Sequence, residues 1–290
     1  MPSLKSLKNR IKSVKSTQKI TKAMKMVAAS KLKKAREQAD NATPYANKMA
    51  AIVRSLAAGT DETSPELKLL HGNGNTATHL IIVVSSDRGL CGAFNSTIVR
   101  YTKRKIEELQ AKGKKYKLLF VGKKAYDVLR SHYSDNIVGH YNGLGRRGLK
   151  FNELSGVIEQ VFKMFAEDEF DVCSVIFNKF KNAISHEVTD KQLIPLDLPA
   201  NENHGSMHYD YEPDEDEILH KLLPKNIAVQ IFYAVIESIA SEQGARMTAM
   251  DNATRNSGEM IKKLQLVYNR TRQAYITKEL IEIISGAQAV

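Results

Sequence analysis

Cysteine is nearly missing: Cys91 and Cys173 are the only two among 290 residues, and neither stands in a C-x-x-C pair with histidine nearby. A disulfide framework and a sulfur-ligated metal site are therefore not expected, whereas a reducing compartment is. No run comes near the ~18 uninterrupted apolar residues that a membrane span needs. The opening MPSLKSLKNR is charged but has no apolar core or small-residue cleavage site, so a soluble, uncleaved chain is expected. Histidines 71, 79, 132, 140, 186, 204, 208 and 220 are scattered, none at ligand spacing and none beside a plausible Ser or Cys nucleophile. No catalytic constellation is found. What the chain does have is 42% hydrophobic residues, enough to bury a core and to exclude a disordered protein.

Helix breakers are scarce at both ends. Before Gly59 there is no glycine, and after Pro2 only Pro44. Alternate steps of three and four from Leu4 meet Leu7, Ile11, Val14, Gln18, Thr21, Lys25, Ala28, Leu32, Ala35, Ala39, Ala42, Ala46, Met49, Val53 and Leu56. This is a heptad stripe with a polar gap at Gln18, Thr21 and Lys25. It predicts one helix of about 55 residues, some 80 Å long at ~1.5 Å per residue. After LLPKN, residues 227–285 contain no proline and only Gly244 and Gly258. Apolar Ile227, Ile231, Val235 and Ile239, then Met260, Leu264, Val267, Ala274 and Ile281, predict a second long helix. Two such helices at opposite ends of one chain pair most simply as an antiparallel coiled coil.

Between them strands and helices alternate. HLIIVVSS, KYKLLFVG, NIVGHY, DVCSVIFNKF and ISHEVTDKQLIPL read as strands, with helical AFNSTIVRYTKRKIEELQAKG, KKAYDVLRSH and FNELSGVIEQVFKMFAEDE interposed. Alternation of this kind implies a mostly parallel sheet covered by helices, with an antiparallel last strand because no helix precedes it. The expected fold is α/β: a long antiparallel coiled coil plus a Rossmann-like domain. The segments are 1–57 (first helix), 76–195 (α/β domain), 196–217 (acidic loop) and 218–290 (last helix).

Charge is unevenly spread. Residues 1–57 hold 14 Lys and Arg against Glu37 and Asp40, while the rest carries 29 basic and 30 acidic residues. Asp197–Glu217 holds eight acids and no Lys or Arg, a surface loop by composition. A cationic helix can follow a phosphate backbone, so a basic nucleic-acid-binding protein is the alternative reading. Against it, residues 1–57 offer eleven Lys, three Arg and the lone aromatic Tyr45, poor equipment for base readout or stacking.

Two glycine-rich stretches invite a nucleotide-binding reading. GLGRRG, residues 143–148, matches G-x-G-x-x-G, but the next strand ends in Asn178-Lys179, where an acid would be needed to hold a ribose. SSDRGLCGAFN, residues 85–95, has the strand, turn and helix of a phosphate loop without its G-K-[ST] ending. The first is expected to be a plain turn. The second is expected to be an exposed turn making a protein contact, with Cys91 an accessible thiol and Cys173 in the core.

KITKAMKMVAASKLKKA near the start, SSDRGLCGAFN, and ARMTAMDNATRNSG with LQLVYNRTRQAYITKELIEIISGAQA at the end resemble the gamma subunit of F-type ATP synthases. The resemblance spans the whole chain. It implies a non-catalytic rotor shaft without a cofactor, one copy per complex. Its partners would be the alpha and beta subunits, the epsilon subunit and the membrane ring of c subunits. It would sit peripherally on the cytoplasmic face of a bacterial inner or intracytoplasmic membrane. Under that resemblance Lys22, Met24 and Lys25 lie near the acidic lever of beta, with Arg246 in a network close by. Arg272, Gln273, Thr277 and Glu279 contact a beta loop, and Leu280–Val290 enters an apolar sleeve. Cys91 and its turn touch the lower beta surface, and Tyr209 and Tyr211 touch epsilon. The polar gap is then expected to slide past successive partner surfaces.

Overall fold

The computed structural model describes residues 3–57, 68–145, 148–196 and 215–288. In chain order the elements are α1 (Leu4–Ala57), a single turn α2 (Lys68–His71), β1 (Thr78–Val84), α3 (Phe94–Ala111), β2 (Lys115–Val121), α4 (Lys123–Tyr133), β3 (Ile137–Tyr141), α5 (Ser155–Ala166), β4 (Val172–Phe180), β5 (His186–Ile194) and α6 (Glu215–Gln288). They form two compact units, Met1–Ala29 with Arg246–Val290 and Ser30–Ala245, so α1 and α6 each contribute to both. Tyr209 and Tyr211 lie outside the described residues, as does most of the acidic segment.

In the larger unit the strands are ordered β3-β2-β1-β4-β5. The first four pair in parallel, and β5 runs antiparallel to β4, as expected of a strand reached by a tight turn instead of a crossover helix. Alternate strand residues face opposite ways. Ile81, Val83, Leu118, Phe120 and Ile176 meet Ile98, Ile106 and Leu109 of α3 with Ala125 and Leu129 of α4. Their neighbours Leu80, Ile82, Val84, Leu119, Cys173 and Val175 meet Val157 and Val161 of α5 with Ile227, Ile231 and Val235 of α6, and Ala39 of α1 joins this core. Burial on both faces explains why the parallel strands read as unbroken apolar runs. A side chain in place of Gly139 in β3 would displace the ends of Gln160 and Leu119, since a Cβ there would lie 2.5 Å from Gln160 Oε1 and 2.6 Å from Leu119 Cδ1.

By length and composition α6 could pass for a membrane span, but its apolar stretch is mostly buried within the fold. This helix starts at Glu215, three residues before the expected boundary at 218, and stays helical through Pro224, as α1 does through Pro44. A proline removes one backbone hydrogen bond. Burial of Leu219 and Leu223 against Val53, Leu56 and Leu70 offsets that loss and holds the first turns.

Asp171 joins the loop before β1 to the start of β4: its Oδ1 accepts from Asn73 Nδ2 at 2.6 Å and its Oδ2 from the Thr78 amide at 2.7 Å. Burial raises its pKa, but these bonds and one from the Ala77 amide outweigh burial and leave it below the ordinary 3.8. A depressed folded-state carboxyl stabilises above the unfolded pKa, and that contribution is lost as pH falls through the lower folded value. Asp171→Asn is expected to cost about 1–3 kcal/mol at pH 7, because one amide hydrogen then faces a donor. The gap from the parent should narrow in chemical denaturation carried out below pH 3.8. A gap that stays constant with pH contradicts the assignment.

Candidate partner-binding site

The predicted stripe on α1 faces inward along its whole length: Leu7, Thr21, Ala28, Ala35, Ala39, Ala46, Met49, Val53 and Leu56 are buried and the remaining members half-buried. In the smaller unit its polar gap is filled from within. Thr21 Oγ1 lies 2.7 Å from Thr254 Oγ1, Gln18 Nε2 donates to the Thr254 carbonyl at 3.4 Å, and Lys25 Nζ donates to Asp251 Oδ1 at 2.6 Å. Gly258 lets the helices approach, since a Cβ there would meet Gln18 Nε2 at 3.0 Å. The bond from Lys25, and then its charge, hold the Asp251 carboxyl below its usual range. Gln18 and Thr21 thus meet Thr254 in a part-buried polar layer of an antiparallel helix pair, with the Lys25–Asp251 ion pair on its exposed edge. This corrects the expectation that the gap is a bare sliding face, and Asp251 and Thr254 are the partners that the sequence reading missed.

The facing stripe on α6 also differs from expectation. Met250, Thr254, Ser257, Ile261, Leu264, Tyr268 and Thr271 are buried or half-buried at heptad spacing, whereas Met260, Val267, Ala274 and Ile281 are exposed. A count begun at Met250 instead of Met260 finds this seam. Two apolar surfaces are left over. On α1, Ile20, Ala23 and Val27 share one face, with Met26 beside them; all four are exposed, and Met24 is half-buried. On α6, everything from Arg272 to Ser285 is exposed, including Tyr275, Ile276, Leu280, Ile281, Ile283 and Ile284. Arg272, Gln273, Thr277 and Glu279 all lie on this bare end, where Thr277 Oγ1 donates to the Gln273 carbonyl at 3.0 Å. Lys22 is exposed and Arg246 half-buried.

In the larger unit the turn after β1 is knitted by Asn95, whose Oδ1 accepts from the Ser86 amide at 3.1 Å and whose Nδ2 lies 3.2 Å from Cys91 Sγ. Cys91 is only 2% exposed, so the expected accessible thiol is corrected: packing and Asn95 turn it inward, and Leu90, 64% exposed, is the side chain presented. Cys173 is buried as expected, and burial pushes its thiol far above the usual range.

A nucleotide in this fold would lie at the carboxyl ends of β1 and β4, where the strand order reverses. Phe94, fully buried, stands there, and Asn178 Nδ2 donates to the Phe94 carbonyl at 3.2 Å. From α6, Ser241 Oγ donates to the Asn178 carbonyl at 2.9 Å and Glu237 Oε2 accepts from the Phe180 amide at 3.0 Å. Two amides of the glycine loop are taken as well: the Gly143 amide donates to Asp87 Oδ2 at 2.8 Å and the Gly145 amide to Glu153 Oε2 at 3.0 Å. Carboxylates hold these two amides where a phosphate would need them, in keeping with the turn expected from the sequence. No cluster of His, Cys, Asp or Glu able to hold a metal occurs among the described residues.

The polar groups named here bond within the chain while apolar helix surface stays bare, and a chain built so completes itself on other chains: it is of the subunit class, with a long helix at each end of the sequence and a doubly wound domain between them in chain order. Known proteins narrow the class. A family model described as ATP synthase matches residues 3–290. The ATP synthase gamma chains of Acidiphilium cryptum and Fuscovulum blasticum are each 52% identical over the full length of both chains. A chain of the Tetrahymena thermophila mitochondrial ATP synthase central stalk and c-ring structure is 31% identical with a TM-score of 0.60, covering 81% of this chain and 99% of its own. One from the Euglena gracilis mitochondrial ATP synthase, at 21% identity, shares the fold with a TM-score of 0.68 over 99% of this chain and 94% of its own. The chain belongs to the ATP synthase gamma chain family.

Proposed function

We propose that this subunit is the non-catalytic rotor of the central stalk, carrying torque between a proton-driven c-ring and the catalytic hexamer of alpha and beta subunits. In this reading the epsilon subunit binds the α/β domain, one copy of the chain serves each complex, and the complex sits on the cytoplasmic face of a bacterial membrane. The observation that carries the reading is the bare, apolar end of α6 from Arg272 to Ser285, on a chain of this family. Such an end suits a bearing, since apolar contact is non-directional and permits turning without a fixed set of hydrogen bonds to break. Met26 adds a soft, adaptable contact on α1. Lys22 is a flexible point charge that attracts an acidic partner without a rigid bidentate lock, over a range of about 8 Å in physiological salt. Full-length kinship with gamma chains does not favour the nucleic-acid alternative.

Charge reversal separates the partner-facing lysine from the paired one. Lys22→Glu is expected to leave thermal unfolding of the chain unchanged and to lower proton-coupled ATP synthesis in the reconstituted complex. Lys25→Glu sets two carboxylates against each other at the Asp251 position and is expected to lower the unfolding midpoint as well. Adding Asp251→Lys should restore the midpoint. Undiminished synthesis with Lys22→Glu would remove that residue from the torque surface, and failure of the swap to restore stability would contradict the ion pair at the edge of the polar layer.

A further inference from the structure

Asn73 and Asn142 are each followed by glycine. In such a pair the glycine nitrogen, unshielded by a β-carbon, is able to add to the asparagine Cγ and expel the side-chain amide as ammonia, one source of the thermal lability of asparagine. Two local features decide if this happens in a folded chain: the freedom of the asparagine side chain to swing over the next peptide, and the partner of that peptide's N–H.

The larger unit treats the two pairs in opposite ways. Asn73 is pinned at both ends, its Nδ2 donating to Asp171 Oδ1 at 2.6 Å and its Oδ1 accepting from the Asn75 amide at 3.1 Å. Swinging its Cγ over Gly74 breaks both bonds. Asn142, the residue after β3, is exposed, and its side chain has no hydrogen-bond partner among the described residues, so it turns through its staggered rotamers unhindered. The nitrogen it would meet is already held against a base. Gly143 N donates to Asp87 Oδ2 at 2.8 Å, inside the reach of about 2.6–3.2 Å that general-base catalysis requires. Gly143 has φ 79°, a backbone conformation that favours glycine, so this amide is reached only with the bare nitrogen that the reaction needs.

We infer that Asn142 is a self-modification site, deamidated through a succinimide with Asp87 as the base, a site independent of the rotor reading. Asp87 Oδ2 takes the proton from Gly143 N as that nitrogen bonds to Asn142 Cγ. The proton passes to Nδ2, the Cγ–Nδ2 bond breaks, and ammonia leaves. Water then opens the imide at either carbonyl, giving aspartate or isoaspartate. The imide nitrogen bears no hydrogen, so the bond that ties the turn after β3 to the turn after β1 is released during the reaction. Either product places a new carboxylate one residue from the amide that Asp87 holds.

The test is incubation of the full chain in mildly alkaline buffer, folded and in urea at the same pH, with conversion at each asparagine followed by peptide mass mapping. In the folded chain Asn142 is expected to convert at least about tenfold faster than Asn73, part of the ~10²–10⁴ that a positioned base contributes. It should also convert faster than in urea, where the two sites should react alike. Asp87→Asn, with folding checked by thermal unfolding, should bring folded Asn142 down to its rate in urea. Asn73 converting as fast as Asn142 in the folded chain overturns the site, as does an Asp87→Asn chain that converts as fast as the parent. If Asp87→Asn does not fold, the parent decides alone: folded Asn142 no faster than in urea means that Asp87 gives no help, and the inference falls.

Discussion

Removing the last ten residues is expected to leave the isolated chain as stable as the parent while weakening its hold on the catalytic hexamer by on the order of 10²–10³-fold. Ile281, Ile283 and Ile284 are exposed, so the fold loses no buried contact with them, and surface changes of this sort usually stay within about 0.5 kcal/mol. Docked in a partner, each such side chain stabilises by about 1.5–3 kcal/mol when fully buried, and each 1.4 kcal/mol is tenfold in affinity. Thermal unfolding of the truncated chain checks the first half, and titration of the hexamer with labelled chain the second. Rotation driven by ATP should survive in complexes that do assemble, because the rest of the helix pair still carries load. Intact assembly with all turning lost would mean that the removed end transmits the torque itself.

Phe94→Ala is expected to cost about 3–5 kcal/mol, the range for emptying a fully buried phenylalanine site. The ring fills the crevice at the ends of β1 and β4 and lies 5.8 Å from the His186 ring, so neighbours on two strands lose a packing surface. Phe94→Leu should cost far less. Denaturant titration of the two variants measures both. The emptied crevice should still bind no nucleotide, because Asp87 and Glu153 keep the glycine amides occupied. Saturable ATP or NAD binding at micromolar concentration by the Phe94→Ala chain would contradict that account.

Much of the architecture was legible because two periodicities are strong here. The steps of three and four on α1 led to its buried face, and the unbroken apolar runs led to the parallel strands. On α6 the same reasoning chose the wrong seam. Met260 and Val267 are as apolar as Met250 and Ile261, so hydrophobicity does not distinguish the two registers; small and polar Thr254, Ser257 and Thr271 occupy the true one. The role of the polar gap was hidden for a related reason. Lys25 looks like a surface charge until Asp251, 226 residues away, is known to face it, and a contact at that separation leaves no local pattern. Cys91 shows the limit of reading a glycine-rich turn from composition, since the turn's exposed side and its sealed side are adjacent residues.

Leu90 has a left-handed backbone, φ 64°, in a position where glycine would be at ease, and it holds its isobutyl group in water. Both features are unfavourable for the solitary molecule, and a glycine would relieve both. In the proposed complex, burial of this side chain against another subunit would offset both costs, so the lone chain and the assembly would rank Leu90→Gly in opposite orders.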